Sequence, residues 1–373
     1  MEKHFSSAAI ICEYNPFHHG HAFQIAELKK QSELVVGIMS GAFVQRGMVA
    51  VADKYSRAAA ALEGGMDLVL ELPFPYCCAA APDFAAAGVY IANAIGVNAL
   101  AFGCEDTGDT VLSVAGRLAN GSLQKEAKRL IKAEKSLSYP RALQLAAGKL
   151  LGDTAAEAIA KPNNILAAEY ISAIQQGGYA ITPYPMQRNA RFLSSTAIRE
   201  NGDFDALIPY PKHFGKERRD IKHLERHVLI KLRTQPEGDF YGVDRSLNAK
   251  LKKAARTACS IDELVALAAD KVYTAARVRR AILAIILEIS TEDVKAKPLY
   301  TSLLAANEKG KAFLKSRRAD MGIPIITKPA NYKKHPEIVK AFEKSLAAEE
   351  MAAMCVPEIV PFGTAIKASP MLN

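Results

Sequence analysis

The stretch Ile11-Cys12-Glu13-Tyr14-Asn15-Pro16-Phe17-His18-His19-Gly20-His21 decides how this chain reads. It leaves a short apolar, β-rich run at 8–12 and enters a helical pattern at 22–31. His18 and His21 are three residues apart, so at a helix start they share one face. Gly20 leaves room for a ligand to approach the backbone. The free N–H groups and dipole of a helix start favour an anion. Two imidazoles there can donate hydrogen bonds to phosphate oxygens as charge develops at an α-phosphate. The same pair could bind a metal, or only cap and pack, but the strand–turn–helix setting favours a nucleotide.

Working outward, strand and helix signals alternate. Apolar β-rich runs at 34–39, 67–72 and 97–103 are interleaved with Ala-rich helical segments at 52–63 and 83–94. A helix is expected at 165–176 and a further strand at 179–182. Strands apolar on both faces, separated by helices, predict a Rossmann-like, doubly wound parallel sheet. After residue 205 the texture changes. The Pro- and aromatic-rich stretch 207–215 reads as a join, and 213–289, 308–318 and 336–354 read as helical. Two domains are expected, an α/β nucleotide-binding domain at 1–205 and a basic, mainly helical domain at 206–373.

The 373 residues are half apolar and 23% charged, which excludes disordered, collagen-like and disulfide-scaffold classes. Residues 1–7 carry Glu2, Lys3 and His4 and no leader pattern. Pro and Asp interrupt the most apolar stretch, so no membrane span is expected. Six cysteines without metal or disulfide spacing suit a reducing cytoplasm. The net charge of +9 divides unevenly: residues 1–205 have 18 basic and 20 acidic side chains, residues 206–373 have 30 and 19. The excess in the second half points to a polyanion, most plausibly nucleic acid, although a Lys-rich solvated surface would look the same.

A second element completes the first. Leu193-Ser194-Ser195-Thr196-Ala197-Ile198-Arg199 reads as a short helix start whose hydroxyls, amides and guanidinium could hold a phosphate. His-x-Gly-His early and Ser-Ser-Thr-x-x-Arg late in one α/β unit resemble the nucleotidyltransferase superfamily. Further stretches narrow the likeness: Met39-Ser40-Gly41 with Phe43-Val44-Gln45-Arg46-Gly47, Asp67-Leu68-Val69-Leu70-Glu71-Leu72-Pro73, and Lys161-Pro162-Asn163-Asn164-Ile165-Leu166. With the opening motif they resemble the bacterial tRNA(Met) cytidine acetate ligase family, over most of 8–200 and more loosely beyond.

That resemblance implies an enzyme that activates acetate with ATP as acetyl-adenylate. It would then acetylate the exocyclic amine of the wobble cytidine of elongator tRNA(Met), releasing AMP and pyrophosphate, with Mg²⁺ accompanying the nucleotide. It implies His18, His21 and Arg199 as catalytic. The ATP site would comprise Ile11, Cys12, Glu13, Tyr14, Asn15, Pro16, Phe17, His18, His19, Gly20, His21, Ala22, Phe23 and Gln24. Gly103, Asn163 or its neighbour Asn164, and Arg188 would complete it, with Ser194, Ser195 and Thr196 by the phosphates. The chain departs from the family pattern in having His19 where Asn is expected, and in a short connection from Arg188 to Ser194.

Each of these residues also has a structural reading: a turn for Gly103, a helix cap for Asn163 or Asn164, an ion pair for Arg188. Arg46 is a candidate contact for triphosphate or tRNA. Arg279, Arg280, Arg317 and Arg318 belong to basic clusters expected to meet tRNA phosphates. Lys54, opening a helix, suggests a nearby anion. Glu13 and Asp106 are the acids expected near the site; no residue is assigned to metal. Neither a protein partner nor a membrane is expected. Two alternatives remain open: an adenylyltransferase or acyl-adenylate-forming synthetase acting on a small metabolite, and a non-catalytic RNA-binding protein with a retained nucleotide pocket. Acetyl-CoA-dependent acetylation has no supporting pyrophosphate-loop motif.

Overall fold

A computed structural model of the chain describes residues 4–106, 108–189, 191–201, 203–215, 218–235, 238–363, 367 and 369–372. Residues 1–3 of the amino terminus, and 216, 217, 236 and 237 within the expected helical stretch 213–289, lie outside the described residues.

The first half follows the expected alternation. Strand β1 (Phe5–Cys12) leads through the motif loop into α1 (His19–Lys29), and β2 (Ser32–Ser40) follows. A small antiparallel hairpin, β3 (Phe43–Val44) and β4 (Met48–Val49), precedes α2 (Lys54–Glu63), β5 (Leu68–Leu72), α3 (Ala81–Ala94) and β6 (Ala99–Cys104). Helices α4 (Gly108–Ala119), α5 (Ser122–Ala133), α6 (Tyr139–Leu151) and α7 (Asp153–Ala160) pack together beside α8 (Pro162–Gly177), which crosses over to β7 (Thr182–Gln187). Strands β5, β2, β1, β6 and β7 lie in that order and all run parallel. Alternate β1 residues feed two cores. Ala9 and Ile11 join α3 and α8 on one face, and Ala8, Ile10 and Cys12 join α1 and α2 on the other. The order reverses at β1, so the crevice between the carboxyl ends of β1 and β6 is the topological switch point where such sheets bind ligands.

Two strand expectations need correction. The last strand begins at Thr182, where 179–182 was expected to end it. Gly178 closes α8 in a left-handed conformation (φ 61°) that delays the strand. Pro183 and Pro185 sit inside the strand, tolerated because it is the sheet's edge. The second half, read as mainly helical, also supplies strands that no sequence signal marked: β8 (Thr301–Ala306) is fully buried and antiparallel to β5, and β9 (Ile325–Ile326) and β10 (Met371–Leu372) pair with β8. Its sequence Thr-Ser-Leu-Leu-Ala-Ala has weak strand propensity, and only the hydrogen bonds offered by β5 make it extended. Strand pairing therefore crosses the boundary expected at residue 205.

The remaining helices are α9 (Ser195–Glu200), a cluster of α10 (Glu225–Thr234), α11 (Arg245–Thr257), α12 (Ile261–Ala268) and α13 (Ala275–Ile286), then α14 (Thr291–Lys295), α15 (Glu308–Arg317) and α16 (Val339–Ala353). Among the described residues no helix is long and apolar enough to cross a membrane.

Candidate active site at the sheet switch point

The loop after β1 is built from the inside out. Tyr14 takes a left-handed conformation (φ 46°), which turns the chain out of the strand. Its buried ring packs 5.0 Å from Phe17 and 4.7 Å from His21. Arg57 on α2, completely buried, holds the loop in place: it donates to the carbonyls of Glu13 (2.6 Å), Ala52 (3.2 Å) and Gly41. Sequence reading missed Arg57; the signal was an arginine on the inward face of an Ala-rich helix. Thus Ile11, Cys12, Tyr14, Pro16 and Phe17 are buried, and what this stretch offers a ligand is backbone and histidine.

His18 caps α1. Its Nδ1 accepts from the Gly20 N–H at 3.1 Å, while His21 Nδ1 accepts from the His18 N–H at 3.3 Å. The rings stack with centroids 3.6 Å apart. With Nδ1 used as acceptor on both, each neutral ring carries its proton on Nε2. Burial, helped by Arg188 and His19, pushes the His18 pKa down to about 4. Burial, with His18 and Arg188, holds His21 well below the usual range. The pair is therefore uncharged at neutral pH and presents two N–H donors. Gly20 serves differently from the sequence expectation: its missing side chain is taken up by neighbours. A Cβ there would lie 2.9 Å from the His18 ring and 3.1 Å from Phe192.

The facing wall is the end of β6 and the start of α8. Gly103 lies within β6, not after it, and has no atom within 4 Å of where a Cβ would stand. Lys161, not an asparagine, occupies the N-cap of α8. Asn164 is buried and braces the loop, accepting from the Glu105 N–H (2.7 Å) and donating to Asp106 and to the Ala158 carbonyl. Asn163 is the more exposed of the two and donates to Glu105 at 2.7 Å. Arg188, just past β7, lies 3.7 Å from the same carboxylate. Glu105 thus joins Asn163 to Arg188, a role no sequence signal marked. Its neighbour Asp106 is held by Lys161 at 2.7 Å.

Ser194 caps α9 by accepting from the Ala197 N–H at 3.1 Å, and Ser195 and Thr196 open that helix. Phe192 lies against Gly20 and 5.5 Å from the Phe23 ring, so the short connection sets this segment beside α1 on the same edge of the sheet. Ala190 lies outside the described residues. Arg199 donates to the Asn15 carbonyl at 2.5 Å and to Thr196 Oγ1 at 3.1 Å, which turns it toward Glu13 and Arg46. His19 and Phe23 are exposed, Ala22 and Gln24 half-buried, on the first turns of α1.

Other charged candidates separate. Lys54 is buried on Glu71 (2.8 Å) and Glu349 (3.2 Å), so the anion it implied is the protein's own. Glu13 accepts from the Gln45 N–H at 2.8 Å, and burial raises its pKa. Arg46 is exposed at the hairpin tip. Gly47 (φ 72°) lets that tip lie directly on the backbone of Arg279 and Arg280, and Arg280 donates to the Gln45 carbonyl at 3.2 Å. Arg317, by contrast, reaches the Gly96 carbonyl at the amino end of β6 (3.4 Å), and Arg318 follows it on that opposite edge, roughly 20 Å from the switch point. Among the described residues no group of three or more His, Cys, Asp or Glu converges as a metal site.

The model of the HIGH nucleotidyl transferase family matches residues 5–362. A tRNA(Met) cytidine acetate ligase of Caldanaerobacter subterraneus subsp. tengcongensis is 33% identical, with 92% of this chain and 93% of that protein aligned. The protein of the same name from Bacillus subtilis (strain 168) is 29% identical, with 89% of each covered. The crystal structure of Thermotoga maritima TmcAL bound with alpha-thio ATP superposes with a TM-score of 0.89 at 26% identity, covering 98% of this chain and 99% of that one.

Proposed function

We propose, on the premise that the chain belongs to the tRNA(Met) cytidine acetate ligase family of HIGH nucleotidyl transferases, that it is an ATP-dependent, AMP-forming ligase acting on elongator tRNA(Met) in the cytoplasm. ATP lies in the crevice between β1 and β6, with its triphosphate at the mouth of α1. The observation that carries this reading is the stacked, neutral His18–His21 pair, both Nε2–H groups free of the cap hydrogen bonds, at the switch point of the sheet. The open space at Gly103 supports a nucleoside there, with Asn163 a candidate contact beside it, and Arg188 acts electrostatically on both imidazoles.

A carboxylate oxygen of acetate attacks the α-phosphorus, and the bond from that phosphorus to the pyrophosphate oxygen breaks. Donors aimed at the oxygens that gain charge lower the barrier, and the neutral histidines provide them without reorganising. The cytidine amine then attacks the acetyl carbonyl, loses a proton, and displaces AMP. To reach the carbonyl, the wobble base must leave the anticodon stack. Arg199, Ser194, Ser195 and Thr196 stand where the loop meets α9 and close the phosphate side. Glu13 is committed to Gln45 and Asp106 to Lys161, so these residues do not form a protein-held Mg²⁺ site. The ion would arrive on the triphosphate. Arg46 and Arg279 lie on the same edge and are proposed tRNA contacts. Arg280 is committed to the hairpin, and Arg317 and Arg318 could contact tRNA only at the far edge.

The test is incubation of the purified protein with ATP, labelled acetate and either elongator or initiator tRNA(Met). Acetate-dependent AMP formation, with label on the elongator tRNA alone, is expected. Label delivered from acetyl-CoA, or AMP formed only after another small acid is added, would replace this reading with one of the alternatives.

A further inference from the structure

Two adjoining cavities lie on the Arg199 side of the motif loop. The larger, about 460 Å³, is walled by Val51, Arg199, Arg218, Arg219, Lys222 and His223. The smaller, about 230 Å³, shares Val51, Arg199 and Arg219, has an apolar wall including Ile261, Ile282 and Ile286, and reaches Arg279. Their walls come from both sides of residue 205. The Arg219 N–H donates to the Val51 carbonyl (3.0 Å), and the Val51 N–H donates to the Asn15 side chain (2.8 Å). The cavity is thus tied directly to the loop that carries His18.

Arg199, Arg218, Arg219, Lys222 and Arg279 outnumber the two carboxylates in the walls, Asp220 and Asp262, and Asp53 also acts on Arg219. Asp220 is paired with Lys222 at 3.0 Å, and Asp205 takes one edge of Arg218, whose guanidinium lies 4.3 Å from the Phe204 ring. Yet Nε and Nη1 of Arg218 and Nη1 of Arg219 are buried and find no acceptor among the described residues. Buried charged donors without acceptors are costly, and a chain keeps them where a ligand supplies the acceptor. An anion would supply such an acceptor, and the apolar lobe beside it has room for the flat face of a base or a ribose.

We infer that this two-lobed cavity receives a nucleotide of the substrate RNA, with a backbone phosphate on Arg219 and Lys222 and the adjoining sugar or base in the apolar lobe. The inference rests on the proposed reading, because it is that reaction which brings RNA to this edge. A phosphodiester fits better than released pyrophosphate, since the pocket straddles the near-neutral and basic parts of the chain and stands apart from the Glu105–Asn163–Arg188 wall.

Filter retention of elongator tRNA(Met) between 50 and 200 mM salt tests it. Arg219→Gln is expected to weaken retention about tenfold and to reduce the slope of log affinity against log salt by about 0.7–0.9, the signature of one lost phosphate contact. Lys222→Gln, which sits at the exposed rim and should fold normally, is expected to move both in the same direction by less. Arg219→Lys should recover part of the slope. Unchanged affinity and slope in both Gln variants would overturn the inference, as would loss of acetate-driven ATP–pyrophosphate exchange with RNA retention intact, which would assign Arg219 to the leaving group. If the wild-type protein retains RNA with this Arg219-dependent slope but never forms AMP from acetate, the ligase reading fails while the phosphate site stands.

Discussion

The two edges of the sheet use cations in opposite ways. At the carboxyl edge Arg57, Lys54 and Arg280 are drawn inward, where each is spent on the protein's own carbonyls or carboxylates. Lys315 and Arg318, flanking Arg317 at the amino edge, share with Lys334 and His335 a groove of about 630 Å³ that has no acidic residue among its described walls. Both sets look alike as letters in a basic sequence. The difference teaches that a charge run says how much cation is present, while burial says whether it is available. Arg57, Lys54 and Arg280 hold loops in place, whereas Lys315 and Arg318, like the unpartnered donors of Arg219, keep their charge for a partner.

That contrast can be broken most forcefully at Lys54. Burial alone would lower its pKa, but Glu349 and Glu71 outweigh burial and hold the ammonium charged. Lys54→Met strands two buried carboxylates and should cost about 3–5 kcal/mol of unfolding free energy in urea titrations. A loss below about 1 kcal/mol would mean the network is not what ties α16 to the edge. Next in size is His21→Ala. Acetate-driven ATP–pyrophosphate exchange should fall by roughly 10²–10³-fold, with tRNA retention within about twofold. Parallel loss of both would show that the histidine builds the loop instead of serving the nucleotide.

A smaller effect is readable from pH. Burial disfavours the charged ring and pushes the folded His18 pKa down to about 4, below the ordinary 6.5. Between those values the unfolded chain binds the proton and the folded chain does not. Stability should therefore decline as pH falls from about 6.5 to 4, His18 contributing roughly 2 kcal/mol, and His18→Gln should reduce that slope while leaving the share due to His21. Denaturant midpoints at constant ionic strength measure it; a flat wild-type profile would show the ring is not buried as described. Smallest of all, Arg318→Gln at the other edge should change unfolding free energy by less than about 0.5 kcal/mol. A cost comparable to that of Lys54→Met would erase the distinction between the edges.

Much of the fold was legible because parallel, doubly buried strands leave continuous apolar runs, and β1, β2, β5 and β6 all have them. What escaped reading did so for physical reasons. In β7, Pro183 and Pro185 disguise an edge strand. In β8, Leu-Leu-Ala-Ala favours a helix when read locally, and pairing with β5 overrides it. The His18–His21 pair was visible because three-residue spacing at a helix start fixes a shared face. Arg57, Glu105 and Arg219 were not, since each owes its role to a partner far away in sequence.

Amino-acid order alone determined the strand–turn–helix setting, the imidazole pair within it and the surplus of cations in the second half, all of them consequences of short-range spacing and composition. Which asparagine braces the loop, which arginines are consumed internally, and that a strand from residues 301–306 completes the sheet were decided only by tertiary packing. Those outcomes depend on which buried donors find acceptors, and that is settled between segments separated by tens to hundreds of residues.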